Sequence, residues 1–429
     1  MSMYIIGAGV TGLAFASALG RGKVLESAPE LGGKASSYHV HTAVGKFTFD
    51  IGGHWFHLQN APKVMQLLDD LPLEKHVRQA FVYWDNKWFD FPIQQSYKAH
   101  PDHRLVDQIE YELTAITSEA ATKSRGYLNY SDMLLHSYGP TLFECFFRDY
   151  NVKMFGVPNL SQIQIGQYEE VRNVRTNQSI EGYNHYFYYP RGELGASAIP
   201  LHLAQNKQIH FNSHVQSINL HKQTITINNQ ASPWKTIVST MPLPKLIDMI
   251  TDVDRDIVYL SQQLQSSKGL ILNLGVKRNP MHVNKSWVYI PDLKYRFYRI
   301  GFYSNVESKM APEGYSSMYV ECSPLYFQNQ KEALNLVPHV IKDLMDIGMI
   351  EDERDIITLR PIYLEHNYCL PNSKVTAHIQ SYLRRHGIYS IGRYGSWHWS
   401  SQHEDMQQAI TLAEELDAVS NFRDMLGVR

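Results

Sequence analysis

Three glycines, Gly7, Gly9 and Gly12, are spaced as GxGxxG between the β-prone run Met3-Tyr4-Ile5-Ile6 and the small apolar run Leu13 to Leu19. In that strand–turn–helix setting the first glycine makes the tight turn and the second lets backbone approach a pyrophosphate. The third lets helix and strand pack closely. The free N–H groups and positive dipole end of the helix then face the phosphates. Glu26 closes a second strand, Lys23-Val24-Leu25-Glu26, 19 positions after Gly7, where a carboxylate accepts from a ribose hydroxyl. The chemistry of this spacing is dinucleotide binding; the plain alternative is a glycine turn with a structural role only. His54 follows the pair Gly52-Gly53, on a loop free to shift. His39, His41 and His57 lie near it in sequence, but neither a Cys partner nor HExxH accompanies them, so no metal is expected.

The elements that must position these groups read as follows. A helix starts near Pro62, and 79–93 forms a hairpin around Asn86-Lys87. Long helical segments fill 97–180, for example Leu105 to Ala121 and Tyr130 to Phe147. Short alternating runs over 208–240 suggest a small antiparallel layer leading into Val238-Ser239-Thr240-Met241-Pro242. Residues 268–322 read as strands and Asp405 to Leu426 as an amphipathic helix. At 429 residues the chain has room for two or three domains. Its 44% apolar and 19% charged residues fit a globular protein. Lys and Arg number 40 against 42 Asp and Glu, so no whole-chain field favours nucleic acid or an acidic membrane. Cys145, Cys322 and Cys369 are too scattered for a disulfide framework; they are expected to pack, in a reducing cytoplasm. The apolar stretch Tyr4 to Leu19 is too short to span a bilayer, and no membrane partner is expected. The 27 Tyr, 17 Phe and 7 Trp supply either a core or a cleft lined with stacking faces.

Downstream of the fingerprint, Gly32-Gly33-Lys34-Ala35-Ser36-Ser37 and Phe49-Asp50-Ile51-Gly52-Gly53-His54 resemble the FAD-binding proteins that include amine oxidases and protoporphyrinogen oxidases. Val238 to Pro242 is similar to the strand that returns to their nucleotide sheet, and Val215 sits where they contact the adenine. The resemblance implies FAD, held by Gly7, Gly9, Gly12, Glu26, Gly33, Lys34, Gly53, His54, Val215, Gly392, Arg393 and Gln402.

Further segments, in the same order along nearly the whole chain, resemble the UDP-galactopyranose mutase family. Asp50 to His54 looks like its mobile histidine loop, and Phe91-Pro92-Ile93-Gln94 like its aromatic-Pro-x-Gln substrate segment. Tyr150-Asn151-Val152-Lys153-Met154-Phe155-Gly156 is similar to its Y-x-x-K-x-W-G stretch. Trp287 to Pro291 with Phe297-Tyr298-Arg299 resembles the strand pair bearing a substrate tyrosine and a diphosphate-binding arginine. Glu365 to Tyr368 resembles the segment with a phosphate-binding tyrosine, and Gly392-Arg393-Tyr394-Gly395-Ser396-Trp397 the stretch beside the flavin. Phe155 stands where the family has tryptophan, Trp399 where it has tyrosine, and Val306 where its eukaryotic forms have tyrosine.

The resemblance implies an isomerase that interconverts pyranose and furanose forms of a nucleotide-diphosphate sugar, UDP-galactopyranose and UDP-galactofuranose or a close relative. Reduced flavin N5 is the nucleophile at the anomeric carbon. His54 and Arg299 would be catalytic. Arg172, Arg175, Tyr289, Tyr368, Phe91, Gln94, Phe155, Asn305 and Trp399 would bind substrate, Arg172 and Arg175 being alternatives for a second diphosphate arginine. Each has a plain alternative: a sheet-edge salt bridge for Arg299, core packing for the tyrosines, a turn cap for Asn305. The rival class is an FAD-dependent oxidase or desaturase of the amine oxidase or protoporphyrinogen oxidase type. Expected partners are the nucleotide sugar, NAD(P)H as a candidate reductant, and a second copy of the chain in a homo-oligomer. The expected fold is α/β: a Rossmann-like FAD-binding domain (1–80, 190–250 and 375–429), an inserted helical domain (97–185), and an antiparallel sheet domain (81–96 and 255–370).

Overall fold

A computed structural model describes residues 2–58, 61–120, 127–165 and 185–425. The nucleotide layer grows from the strand Ser2–Ile6, which pairs in parallel with Lys23–Leu25 on one side and with the far half of Gln230–Ser239 on the other. Lys23–Leu25 pairs with Ile209–His210, and Gln230–Ser239 with Ile388–Ser390, again in parallel. The near half of Gln230–Ser239 pairs antiparallel with Thr224–Ile227, which pairs with Val215–Asn219. One long strand thus serves a parallel sheet and an antiparallel flap. Its inner end, Ile237 and Val238, is apolar on both faces and fully buried, as a strand covered by helices must be. The helix Val10–Leu19 carries almost only small and apolar residues because it lies between that sheet and the C-terminal helix Gln402–Met425. Leu13, Ala14 and Phe15 meet Met406, Ala409 and Ala413 there.

A second sheet runs Ile356–Leu364, Gly269–Lys277, Tyr315–Cys322, Phe297–Phe302, Trp287–Tyr289, Ala80–Trp84, Lys87–Asp90. One pair departs from the antiparallel expectation: Trp287–Tyr289 lies parallel to Ala80–Trp84. Parallel pairing needs a crossover, and the long stretch of chain between the two strands provides one. The helix Gln330–Asp346 covers one face through Ala333, Leu336, Val340 and Leu344. The other face receives the hairpin Ser37–Thr42/Gly45–Asp50, whose Phe47 and Phe49 pack with Ile271, Tyr303 and Tyr319. That hairpin lies within 1–80 but packs on the second sheet.

The helix Arg255–Ser261 corrects the boundary at 255 in the opposite sense. Ile257 and Leu264 join Ile218, Ile247 and Ile379 in the core of the nucleotide layer, because those apolar residues close the flap from below. The helical part comprises His103–Ala120, Tyr130–Leu142 and Arg148–Phe155 around Tyr130, Phe146, Phe155 and Trp399. Arg172 and Arg175 lie outside the described residues. Among the described residues no helix is long and apolar enough to cross a membrane.

Candidate active site

The turn at Gly7 is closed from three directions. Gly7 N–H donates to the Leu25 carbonyl at 2.8 Å, and Ala8 N–H donates to Glu26 Oε2 at 2.8 Å. The other Glu26 oxygen accepts from Ala28 N–H at 2.9 Å, so the carboxylate stands fixed at the mouth of the turn. A Cβ at Gly12 would collide with the Gly7 carbonyl, which is why no side chain is tolerated there. Gly392 arrives from the other end of the chain with φ +80°, and a Cβ on it would lie 2.8 Å from Thr11 Oγ1. Its N–H donates to Gln408 Oε1 on the C-terminal helix at 2.7 Å. Gly9 bridges Gly32, which brings Gly33 and Lys34 to the same helix N-terminus. Val215, buried, opens the flap strand Val215–Asn219.

Beside this cradle lies a cluster of polar groups. His54 Nε2 contacts the Ile51 carbonyl at 2.8 Å and Nδ1 contacts Gln402 Nε2 at 2.8 Å. A carbonyl only accepts, so Nε2 carries the proton and Nδ1 accepts from the glutamine amide. Burial, with Arg393 and Lys34 close by, pushes His54 down to about 4, so the ring is neutral at physiological pH. Lys34 donates to the His366 carbonyl and its ammonium lies 3.7 Å from the centre of the Tyr394 ring. Burial and then Arg393 push it down to about 7. Arg393 donates through Nε to the Ser400 carbonyl at 2.9 Å. Gly53 packs against Tyr319 and the Trp55 indole.

The second sheet supplies the third group. Tyr289, Arg299 and Glu321 are direct cross-strand neighbours and so share one face. Arg299 meets Glu321 in a two-pronged ion pair, Nε to Oε2 at 2.5 Å and Nη2 to Oε1 at 2.7 Å. Nη2 also reaches the Tyr368 hydroxyl at 3.4 Å. Burial opposes the charge, yet Glu321 and the surrounding phenols hold Arg299 well above its ordinary pKa. Tyr289 packs on Phe91 with ring centres 4.7 Å apart and meets the edge of Tyr150 at 5.5 Å. Arg78 lies over the Phe91 ring at 4.8 Å. Gln94, on the short helix after Phe91-Pro92, is buried.

Asn305 is placed away from this face, while Phe155 and Trp399 lie buried behind it. Asn305 donates its amide N–H groups to the carbonyls of His282 (2.6 Å) and Lys285 (2.8 Å), and its oxygen accepts from Arg278, so it braces a loop. Phe155 and Trp399 stack on each other at 4.8 Å in the aromatic core, and the Trp399 N–H is taken by the Cys369 carbonyl. Both positions depart from the mutase pattern and both are buried, yet Phe155 meets the edge of Tyr368 with ring centres 5.9 Å apart, directly behind the Arg299 contact. Sequence reasoning missed Glu321 and Asp50. The buried Asp50 carboxylate accepts from Ser37 and Tyr189 hydroxyls, each at 2.6 Å, and from Ala196 N–H at 3.1 Å. Burial pushes it up to about 6. The only sequence signal for either was an acid inside an apolar run.

Residues 5–71 match a family model described as an NAD(P)-binding Rossmann-like domain. Across solved structures the chain resembles a reduced UDP-galactopyranose mutase at 22% identity and TM-score 0.84, covering 97% of this chain and 94% of that one. It resembles a CLA-producing fatty acid isomerase from P. acnes at 16% identity and TM-score 0.68 (96% and 98% covered). It also resembles a putrescine oxidase redesigned in its cofactor binding, at 11% identity and TM-score 0.66 (97% and 98% covered). The fold is that of the FAD-binding flavoproteins.

The residues present fit FAD. The glycine cradle leaves the helix N-terminus open to a pyrophosphate, and Glu26 stands at the ribose position. Beyond them Gln402 Oε1 is buried without a hydrogen-bond partner, as expected where a bound group completes the site. Among the described residues no group of three or more His, Cys, Asp or Glu is placed to hold a metal ion.

Proposed function

We propose that this chain is an FAD-dependent mutase that interconverts pyranose and furanose forms of a nucleotide-diphosphate sugar, UDP-galactose or a close relative, with NAD(P)H as its reductant. The observation that carries the reading is the Arg299–Tyr368 contact beside Tyr289. A guanidinium and phenol hydroxyls converge on one face, which suits the oxygens of a diphosphate. Reduced FAD would supply the nucleophile for the anomeric carbon. The chain's own residues do the rest. Arg299, held in orientation by Glu321, keeps the departing diphosphate within reach of its return. Tyr289 and Tyr368 add neutral donors to its oxygens. Phe91, Tyr289 and Tyr150 form an aromatic wall that limits water. Neutral His54 presents its proton to the Ile51 carbonyl and stiffens its loop beside the cofactor.

One observation favours the rival oxidase or desaturase: Glu321 already neutralises Arg299. Incubating dithionite-reduced and oxidised protein with UDP-galactofuranose and separating the products decides between them. Ring interconversion by the reduced form alone is expected. Oxygen consumption driven by an amine, with no sugar conversion, would establish the rival.

A further inference from the structure

Gln402 is the first residue of the helix Gln402–Met425, and its amide N–H is pinned by His54 Nδ1. The amide cannot turn over, because its oxygen would then face a lone pair on Nδ1 while Nε2 stays bound to the Ile51 carbonyl. Oε1 is therefore fixed in place, buried, and without a donor. Six residues along the same helix, Gln408 holds the N–H of Gly392, the glycine pressed against Thr11 at the start of the phosphate-binding helix. Six residues is about 9 Å of helical rise. Gln402 thus stands well beyond the phosphate cradle, beside His54 and near Lys34 and Arg393.

Oxidised isoalloxazine carries a ring N–H only at N3, and N1 and N5 present lone pairs. Two electrons and one proton place a proton on N5 and leave an anionic ring; a second proton neutralises it. A fixed buried carbonyl oxygen gains from the added N–H and is repelled by the lone pair it replaces. We propose that Gln402 Oε1 accepts from the ring N–H that the flavin carries only when reduced, so that the His54–Gln402 pair selects the reduced cofactor. The inference rests on the flavin reading above. The neighbouring cations Lys34 and Arg393 act in the same direction by favouring the anionic ring.

The test is the reduction potential of bound FAD, measured by dithionite titration against a reference dye, in the wild-type holoprotein and in Gln402→Leu and Gln402→Glu. In Gln402→Leu the reduced-to-oxidised ratio at a fixed potential should fall about tenfold, a shift of about 30 mV to more negative values. Gln402→Glu, which sets an oxygen against the Nδ1 lone pair and a negative charge beside the anionic ring, should lower the ratio at least as much, and the wild-type couple should lie positive of free FAD. An unchanged or raised ratio in Gln402→Leu overturns the proposal, since an oxygen bound to N3–H in both states gives that result. If Gln402→Leu does not retain flavin, a wild-type couple at or below that of free FAD overturns it equally. Protein that takes up no FAD at all removes the flavin reading itself, whereas a flavoprotein with an unshifted ratio removes only the role of Gln402.

Discussion

Two of the Arg299 donors are committed to Glu321 before any ligand arrives, and this decides what removing either side chain does. Arg299→Ala should weaken nucleotide-sugar binding by about 10- to 100-fold while FAD stays bound. It should also destabilise the fold by about 3–5 kcal/mol, because Glu321 is left buried and uncompensated. The double variant Arg299→Ala/Glu321→Ala separates the two effects. Its thermal midpoint should recover most of the loss and its affinity, read by calorimetry, should not. A double variant that binds like wild type removes Arg299 from the site. At this scale the sequence was uneven in what it revealed. Arg299, Tyr368 and His54 sit in segments whose likeness to the mutase family points to them, and Gln402 was implied as a cofactor residue by the same likeness. Glu321 has no such pattern: its meaning comes from the register that sets it opposite Arg299, 22 residues away. Asn305 fails for the converse reason, since a short amide beside a turn satisfies nearby carbonyls before it reaches a ligand.

The helical layer is joined to the C-terminal segment by the Phe155–Trp399 stack, with Tyr130 edge-on to both rings. Trp399→Ala should lower stability by about 3–5 kcal/mol through the cavity it leaves. Trp399→Phe, which keeps the stacking face but leaves the Cys369 carbonyl without its donor, should cost about 1–3 kcal/mol. Denaturant midpoints read both, and equal losses would show that the stack contributes nothing beyond the hydrogen bond. Elements were legible where turn and glycine chemistry marks their ends. The hairpin was read, though its turn is Asp85-Asn86 with Lys87 already paired to Trp84, and the strand–glycine–helix opening follows from its glycine spacing; the C-terminal helix is present as expected but shows no amphipathic face. Elements whose partner is remote were not. Neither the parallel pairing of Trp287–Tyr289 with Ala80–Trp84 nor the seating of the 37–50 hairpin on the second sheet leaves a local mark, because long-range topology selects both.

Across the whole molecule, burial of amines ties the assembly to pH. Lys153 is fully buried and donates to the carbonyls of Ile290 (2.9 Å) and Asp292 (2.8 Å), joining the helix Arg148–Phe155 to the second sheet. Lys34 joins the nucleotide turn to the segment at His366. Burial pushes both down to about 7 from the ordinary 10.5. Between those values the unfolded chain holds a proton on each lysine that the folded chain has begun to release, so the unfolded state binds more protons and stability rises with pH. The buried cysteines act oppositely, their thiols being raised from about 9, so the clean window is pH 7 to 8.5. Each fully released proton contributes at most about 1.4 kcal/mol per pH unit. Stability from denaturant melts should therefore climb over that window, and Lys153→Met should remove about half of the slope at the same flavin content. It should also lower stability at pH 7, because two buried carbonyls lose their donor. Below pH 6.5 the slope keeps its sign at first, since burial leads the depressed pKa of His54, His57 and His366, each near 4, and the unfolded chain takes up those protons first. Below about pH 6, Asp50 and Asp405, raised by burial to about 6, bind protons in the folded state before the unfolded one and blunt the decline. A profile flat from pH 7 to 8.5 in the wild type would mean that both amines keep their protons in the fold, and that the two carbonyls together with nearby Asp292, Asp343 and Asp149 hold Lys153 as a charged group.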